Sequence, residues 1–216
     1  MLLLTCLLTL SATTVRGHAL YIGLYLALGA ACLGGFTRVA PFLGISARDD
    51  VLERGNSAAA VAVTGALVGS CCAFAGANIG NGPGVEAVSF SAILSLALFV
   101  AVWFALEFLT HISEAVTVDR DAGAGIRLCG FLVGAGLLSG WSVAGDWISA
   151  VVTVRDFAKS GWPAISLGAL TVVVEWLRAR TGISDLVGAK LRPSIVIAVM
   201  YVSLAVAWVV ARGVHS

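Results

Sequence analysis

Apolar residues fall into six long blocks separated by short polar clusters, and each block is far longer than a strand. The blocks run over Ala19–Thr37, Asn56–Ala77, Val88–Thr110, Ile126–Val154, Gly161–Leu177 and Pro193–Val210. Crossing the hydrocarbon layer takes about 20 mostly apolar residues, and a helix does so while bonding its own backbone amides where water is absent. The pattern therefore predicts an all-α polytopic membrane protein, with six transmembrane helices arranged as repeated helical hairpins. The hairpins occupy residues 19–80, 86–154 and 160–211 of a single membrane domain. Ahead of them lies an apolar segment, residues 1–18, too short to span and lacking a basic start. A poor signal peptide and an interfacial segment are equal readings of it.

The polar separators are of two kinds. The stretch NIGNGPG at 78–84 has no charge and consists of turn-forming residues, as a tight link between antiparallel helices requires. The other kind carries arginine and lysine. Arg38, Arg48, Arg54, Arg120, Arg127, Arg178, Arg180, Lys190 and Arg192 fall on one side, against Arg16, Arg155, Lys159 and Arg212 on the other. Short cytoplasmic loops carry the basic excess, so both termini are expected on the non-cytoplasmic side.

The chain also repeats itself. NSAAAVAVTGALVGS (56–70) aligns without a gap to DAGAGIRLCGFLVGA (121–135), matching Ala59, Gly65, Leu67, Val68 and Gly69 to Ala124, Gly130, Leu132, Val133 and Gly134. Each copy opens on a short side-chain acceptor, Asn56 or Asp121, at the place where a helix needs an N-cap. A weaker echo pairs ALEFL, ending at Leu109, with VVEWL, ending at Leu177, and so sets Glu107 against Glu175. Helices in a bilayer associate largely through small residues that let backbones approach. The stripe Gly65, Gly69, Ala73, Ala77 and the one begun by Gly130 and Gly134 are expected to let the second and fourth helices cross closely. Structural packing is the default reading of the six tryptophans, of which Trp103, Trp141, Trp147, Trp162 and Trp176 are also candidates for interfacial anchors.

Composition acts mainly by exclusion. With 59% hydrophobic and 12% charged residues, a mean hydropathy of +1.00 and a net charge of +1, the chain has neither the surface of a water-soluble domain nor the basic face of a nucleic-acid binder. Cys6, Cys32, Cys71, Cys72 and Cys129 sit in apolar runs and read as small packing residues, with no metal-ligand spacing. His18, His111 and His215 are scattered, and P-loop and HExxH sequences are absent. No enzyme activity, metal or cofactor is expected.

Ionisable residues within apolar sequence are functional candidates by default. Glu107, Glu175, Arg127 and Asp146 meet that description; the bland reading puts Glu107 and Glu175 at the cytoplasmic interface and Asp146 at the outer one, and Arg127 can either reach the headgroups or pair with a carboxylate inside the bundle.

Glu53, Gly55, Asn56, the run Ala58–Ala60, Gly65 and Gly69 together resemble the signature of the YjfL-like, domain-of-unknown-function-350 (UPF0719) family of bacterial inner-membrane proteins, whose members carry such units in tandem. The resemblance covers roughly 19–154. The second copy departs from it: Asp121 replaces the asparagine, Asp119 stands where the first copy has Arg54, and no glutamate matches Glu53. The resemblance implies a small multi-pass protein of the bacterial cytoplasmic membrane, in a family without an established reaction that is sometimes associated with envelope-stress and ATP-grasp-type genes. Two functional readings stand, a small ion or solute channel or transporter first and a scaffold as the alternative. In one, the hairpins enclose an ion or solute path lined by Glu107, Glu175 and Asn56. In the other, a non-transporting scaffold in the envelope-stress response uses its charged loops, 46–56 and 178–192, to recruit a cytoplasmic protein. The lipid bilayer and further copies of the chain, as a homo-oligomer, are the other expected partners.

Overall fold

A computed structural model describes residues 1–9, 11, 15, 18–82, 84–181 and 191–213. Arg16, Lys190, His215 and the centre of the 178–192 loop lie outside the described residues. The described chain is mostly helical, with no named strand among the described residues, and six of its helices are long and apolar enough to cross a membrane.

A short helix, α1 (Leu2–Thr9), precedes the first spanning helix α2 (Ala19–Val39). A 3-10 turn (Ala40–Leu43) and a wide π-wound turn (Ala47–Glu53) lead to α3 (Ser57–Gly76). The second hairpin is α4 (Val85–Thr110), a short α5 (Ile112–Thr117) and α6 (Ala122–Trp141). The third is α7 (Ala150–Ser160), α8 (Trp162–Thr181) and α9 (Leu191–Arg212). The sequence block Ile126–Val154 is therefore not one helix. Its helix stops at Trp141, and residues 142–149 form an extended link tied by Gly145 N–H to Ile79 O at 3.1 Å and Trp147 N–H to Asn81 O at 2.8 Å.

The repeat governs the backbone as well as the sequence. Adding 65 to the cap Asn56, the helix bounds Ser57 and Gly76, and the positive-φ residues Gly55 and Gly80 gives Asp121, Ala122, Trp141, Arg120 and Gly145. Arg120 thus takes φ +53° at the place where Gly55 takes +60°.

Most of the core forms around α6, the most buried span, which packs along α3 on one side and α9 on the other. Alanine and glycine make α3 and α6 thin, so backbones meet. Gly69 and Gly136 touch, as do Gly76 and Gly140, and Gly125 lies against Ala58. Phe99, Trp103, Leu106, Leu128, Phe131 and Leu132 fill the surrounding space. A second cluster joins Leu3, Cys6 and Leu7 of α1 to Tyr25 and Phe74. Burial, and after it the neighbouring Cys71, pushes the Cys6 thiol up to about 11. All five cysteines are free.

Two expectations change in detail. Gly65 and Gly69 do face α6, but Gly130 and Gly134 face α9, against Ala198 and Tyr201. Gly125, Gly136 and Gly140 form the face that α6 turns to α3. Trp103 is 1% exposed and belongs to the core, where it packs beside Phe36 and Phe99. Trp141 and Trp162 instead flank Trp208, with Arg212 over the Trp208 ring.

Candidate functional site

The charged turns and both helix caps lie at one end of the bundle. Asn56, 2% exposed, accepts from Ala58 N–H (3.0 Å) and Ala59 N–H (3.2 Å) through Oδ1, satisfying two amides that α3 cannot bond internally. Its Nδ2 donates to Val116 O at 2.8 Å, tying the first copy of the repeat to the turn of the second. The amide does both through separate atoms. Asp121 in the second copy accepts from Gly123 N–H at 2.8 Å and has no donor to offer.

The turn before Asn56 is organised by Asp50, which is 5% exposed. Its carboxylate accepts from Ser46 N–H (2.8 Å) and pairs with Arg54 (3.1 Å), while Ser46 Oγ accepts from Asp49 N–H. Glu53 stays exposed and meets Arg48 at 3.1 Å on the surface, a pairing of little energetic weight. Arg120 reaches back to Arg54 O.

Deeper, Arg127 and Glu175 form a bidentate pair: Nε donates at 2.6 Å and Nη2 at 2.8 Å, with side chains only 5% and 11% exposed. Arg127 Nη1 also donates to Ser194 Oγ at 2.9 Å, so one guanidinium joins α6, α8 and α9. Planar two-point bonding and a third acceptor offset the desolvation of both charges.

Of the four ionisable candidates, the structure brings together only these two. Glu107 accepts from the backbone N–H and the hydroxyl of Ser113, closing the start of α5. Asp146 lies at the far end of the bundle, exposed, accepting Asn81 N–H at 2.7 Å. Glu107 and Glu175, matched in the sequence echo, thus serve different partners. Sequence reading missed Asp50, Ser113 and Ser194. Ser46, with an acidic residue three positions on, carried a local capping signal for that turn; Ser113 lies only six residues from Glu107 but across the break between α4 and α5, and Ser194 reaches Arg127 across 67 positions, which no local pattern encodes. Among the described residues no group of histidine, cysteine and carboxylate side chains is arranged to hold a metal ion.

Residues 9–143 match the profile of a Domain of Unknown Function, DUF350. The chain belongs to the DUF350 family. No curated protein and no solved structure matches it. The DUF350 match takes in both copies of the repeat with their caps and glycine faces, and stops just after α6. Within DUF350, the Asn56 cap and the α3–α6 seam are therefore parts of the matched unit, whereas Glu175 and Ser194, the partners of Arg127, come from the hairpin beyond it.

Proposed function

We propose that this DUF350 protein is a non-transporting scaffold of the bacterial cytoplasmic membrane. Its capped end faces the cytoplasm and offers the charged turns of both repeat copies to a soluble partner. The supporting observation is the engagement of the groups that would line a path. Glu175 is held by Arg127, Glu107 by Ser113, and Asn56 by two amides and a carbonyl. Charged side chains that conduct or relay have to exchange partners, and a two-point buried pair resists exchange.

The exposed end has the mixed character of a docking face. Leu52 is 79% and Val118 74% exposed, each amid charges that include Glu53, Arg54 and Asp119. The basic count of the loops supports the orientation. Homo-oligomeric assembly belongs to the same proposal, with the open glycines Gly23 and Gly35 of α2 as the place where a second copy can approach. No catalytic step is part of it.

Ion flux in proteoliposomes decides between this reading and a small ion or solute channel. The scaffold requires potassium, sodium and chloride leakage equal to that of protein-free liposomes, in the wild type and in Glu107→Gln and Glu175→Gln alike. Flux above that level that falls in either variant replaces the scaffold with a channel.

A further inference from the structure

The end of the bundle opposite the caps holds a partly enclosed cavity of about 800 Å³, within the size range of small-molecule sites. Its rim is made by the two repeat-equivalent links, 79–82 and 144–147. These are fixed to each other by Gly145 N–H to Ile79 O, Trp147 N–H to Asn81 O and Asn81 N–H to Asp146 Oδ1, with Gly80 and Gly145 in backbone contact. The glycines allow this approach, since a Cβ on Gly80 would overlap the Gly145 carbonyl. Braced links of this kind keep the space open without a ligand. The other walls are the ends of α2 and α4 and the amphipathic helix α7, whose Val151 and Val154 are exposed as in a helix lying at a membrane surface.

The lining is asymmetric in charge. Among the described residues, Asp146 and Asp156 contribute two carboxylates and Lys159 one ammonium. Asp146 commits Oδ1 to Asn81 N–H. Asn78, 4% exposed, also lines the cavity. Its Nδ2 donates to Phe74 O at 2.8 Å, and its Oδ1 accepts no hydrogen bond. That oxygen is an orphaned acceptor among the described residues, but it has essentially no accessible surface and lies out of reach of a molecule in the cavity. A simple anion would meet two carboxylates here, and a polycation would meet Lys159. A zwitterion with hydrogen-bonding ammonium and a separate anionic group answers both, and the position at the membrane surface matches a lipid headgroup.

We propose that this cavity binds a phosphoethanolamine group, its ammonium held by Asp146 and Asp156 and its phosphate by Lys159. The inference is independent of whether the cap end recruits a partner. The group can come from an aminophospholipid or from a soluble glycerophosphodiester.

The test uses the full chain in maltoside micelles, offered equal amounts of phosphatidylethanolamine and phosphatidylglycerol and read by native mass spectrometry. A parallel calorimetric titration uses sn-glycero-3-phosphoethanolamine. Retention of phosphatidylethanolamine at least tenfold above phosphatidylglycerol is expected. That preference falls at least tenfold in Asp156→Asn and in Lys159→Gln, both exposed positions on α7, and stays in Glu53→Gln at the other end. Lipid retention without glycerophosphoethanolamine binding assigns the lipid as the source; binding of the soluble compound with the same variant dependence assigns the free headgroup. Equal retention of the two lipids with no glycerophosphoethanolamine binding, or a preference indifferent to Asp156 and Lys159, overturns the proposal.

Discussion

Helix α6 makes two long seams, and they are closed by different means. Toward α3 there are glycines on both sides, Gly69 on Gly136 and Gly76 on Gly140, and the seam is backbone against backbone. Toward α9 the glycines are on one side only, Gly130 and Gly134 against Ala198 and Tyr201, and the Arg127–Glu175–Ser194 group is added at one end. At the position of Arg127 the first copy has Ala62, 0% exposed in the core. In a bilayer there is little hydrophobic gain in bringing helices together, so contact area and interhelical hydrogen bonds have to substitute for each other. Where the backbones fit on both sides the seam is apolar; where they fit less closely a buried polar lock accompanies it.

Four substitutions test that division, in falling order of effect. Glu175→Ala strands a buried guanidinium and should cost about 3–5 kcal/mol. Thermal unfolding in detergent would show it as the largest loss in the series, and Arg127→Met with Glu175→Leu should recover most of it by removing both charges together. A single-variant loss below that of every glycine variant would remove the lock from the account. Gly136→Ala comes next at about 1–3 kcal/mol, because its Cβ meets the Gly69 backbone, which has no rotamer to yield. Asn56→Asp keeps the helix cap but loses the Nδ2 donor to Val116 O. A drop of about 1 kcal/mol is expected, together with faster amide exchange at residues 115–118. Within a single chain, Gly35→Ala should be neutral or slightly stabilising, since nothing lies within 4 Å of the added Cβ, and any loss it causes should be confined to the association of copies.

The six spans were legible because each is a continuous apolar run, and the repeat because five identities recur without a gap. The end of α6 was not. Trp141, Val143, Ala144, Trp147 and Ile148 keep the run apolar past the helix, while the break is made by bonds from Gly145 and Trp147 to residues some 65 positions earlier. The seams were half legible. Spacing identified Gly65 and Gly69 as a contact face, yet assigned Gly130 and Gly134 to the same crossing, because a helix rich in glycine has small residues on more than one face and spacing alone does not say which neighbour each face meets. The candidate site divided in the same way. The Asn56 cap was readable from its own helix start, whereas the pairing of Arg127 with Glu175 depends on how the third hairpin docks.

The glycine faces also have a direction. Gly65 and Gly69 lean on Cys129 and Leu132, and Gly130 and Gly134, one and two positions further along α6, lean in turn on Ala198 and Tyr201. Each even-numbered crossing passes its contact to the next helix rather than returning it, as in a stack whose units have a front and a back. Such a series has no intrinsic end, and head-to-tail contacts that do not close grow into filaments. The same step on α9 arrives at Val199 and Ser203, both exposed, where a β-branched side chain stands in the place of glycine. Val199 thus presents a β-branched side chain where the two earlier copies present glycine, and the third unit offers no glycine face of its own to a further helix.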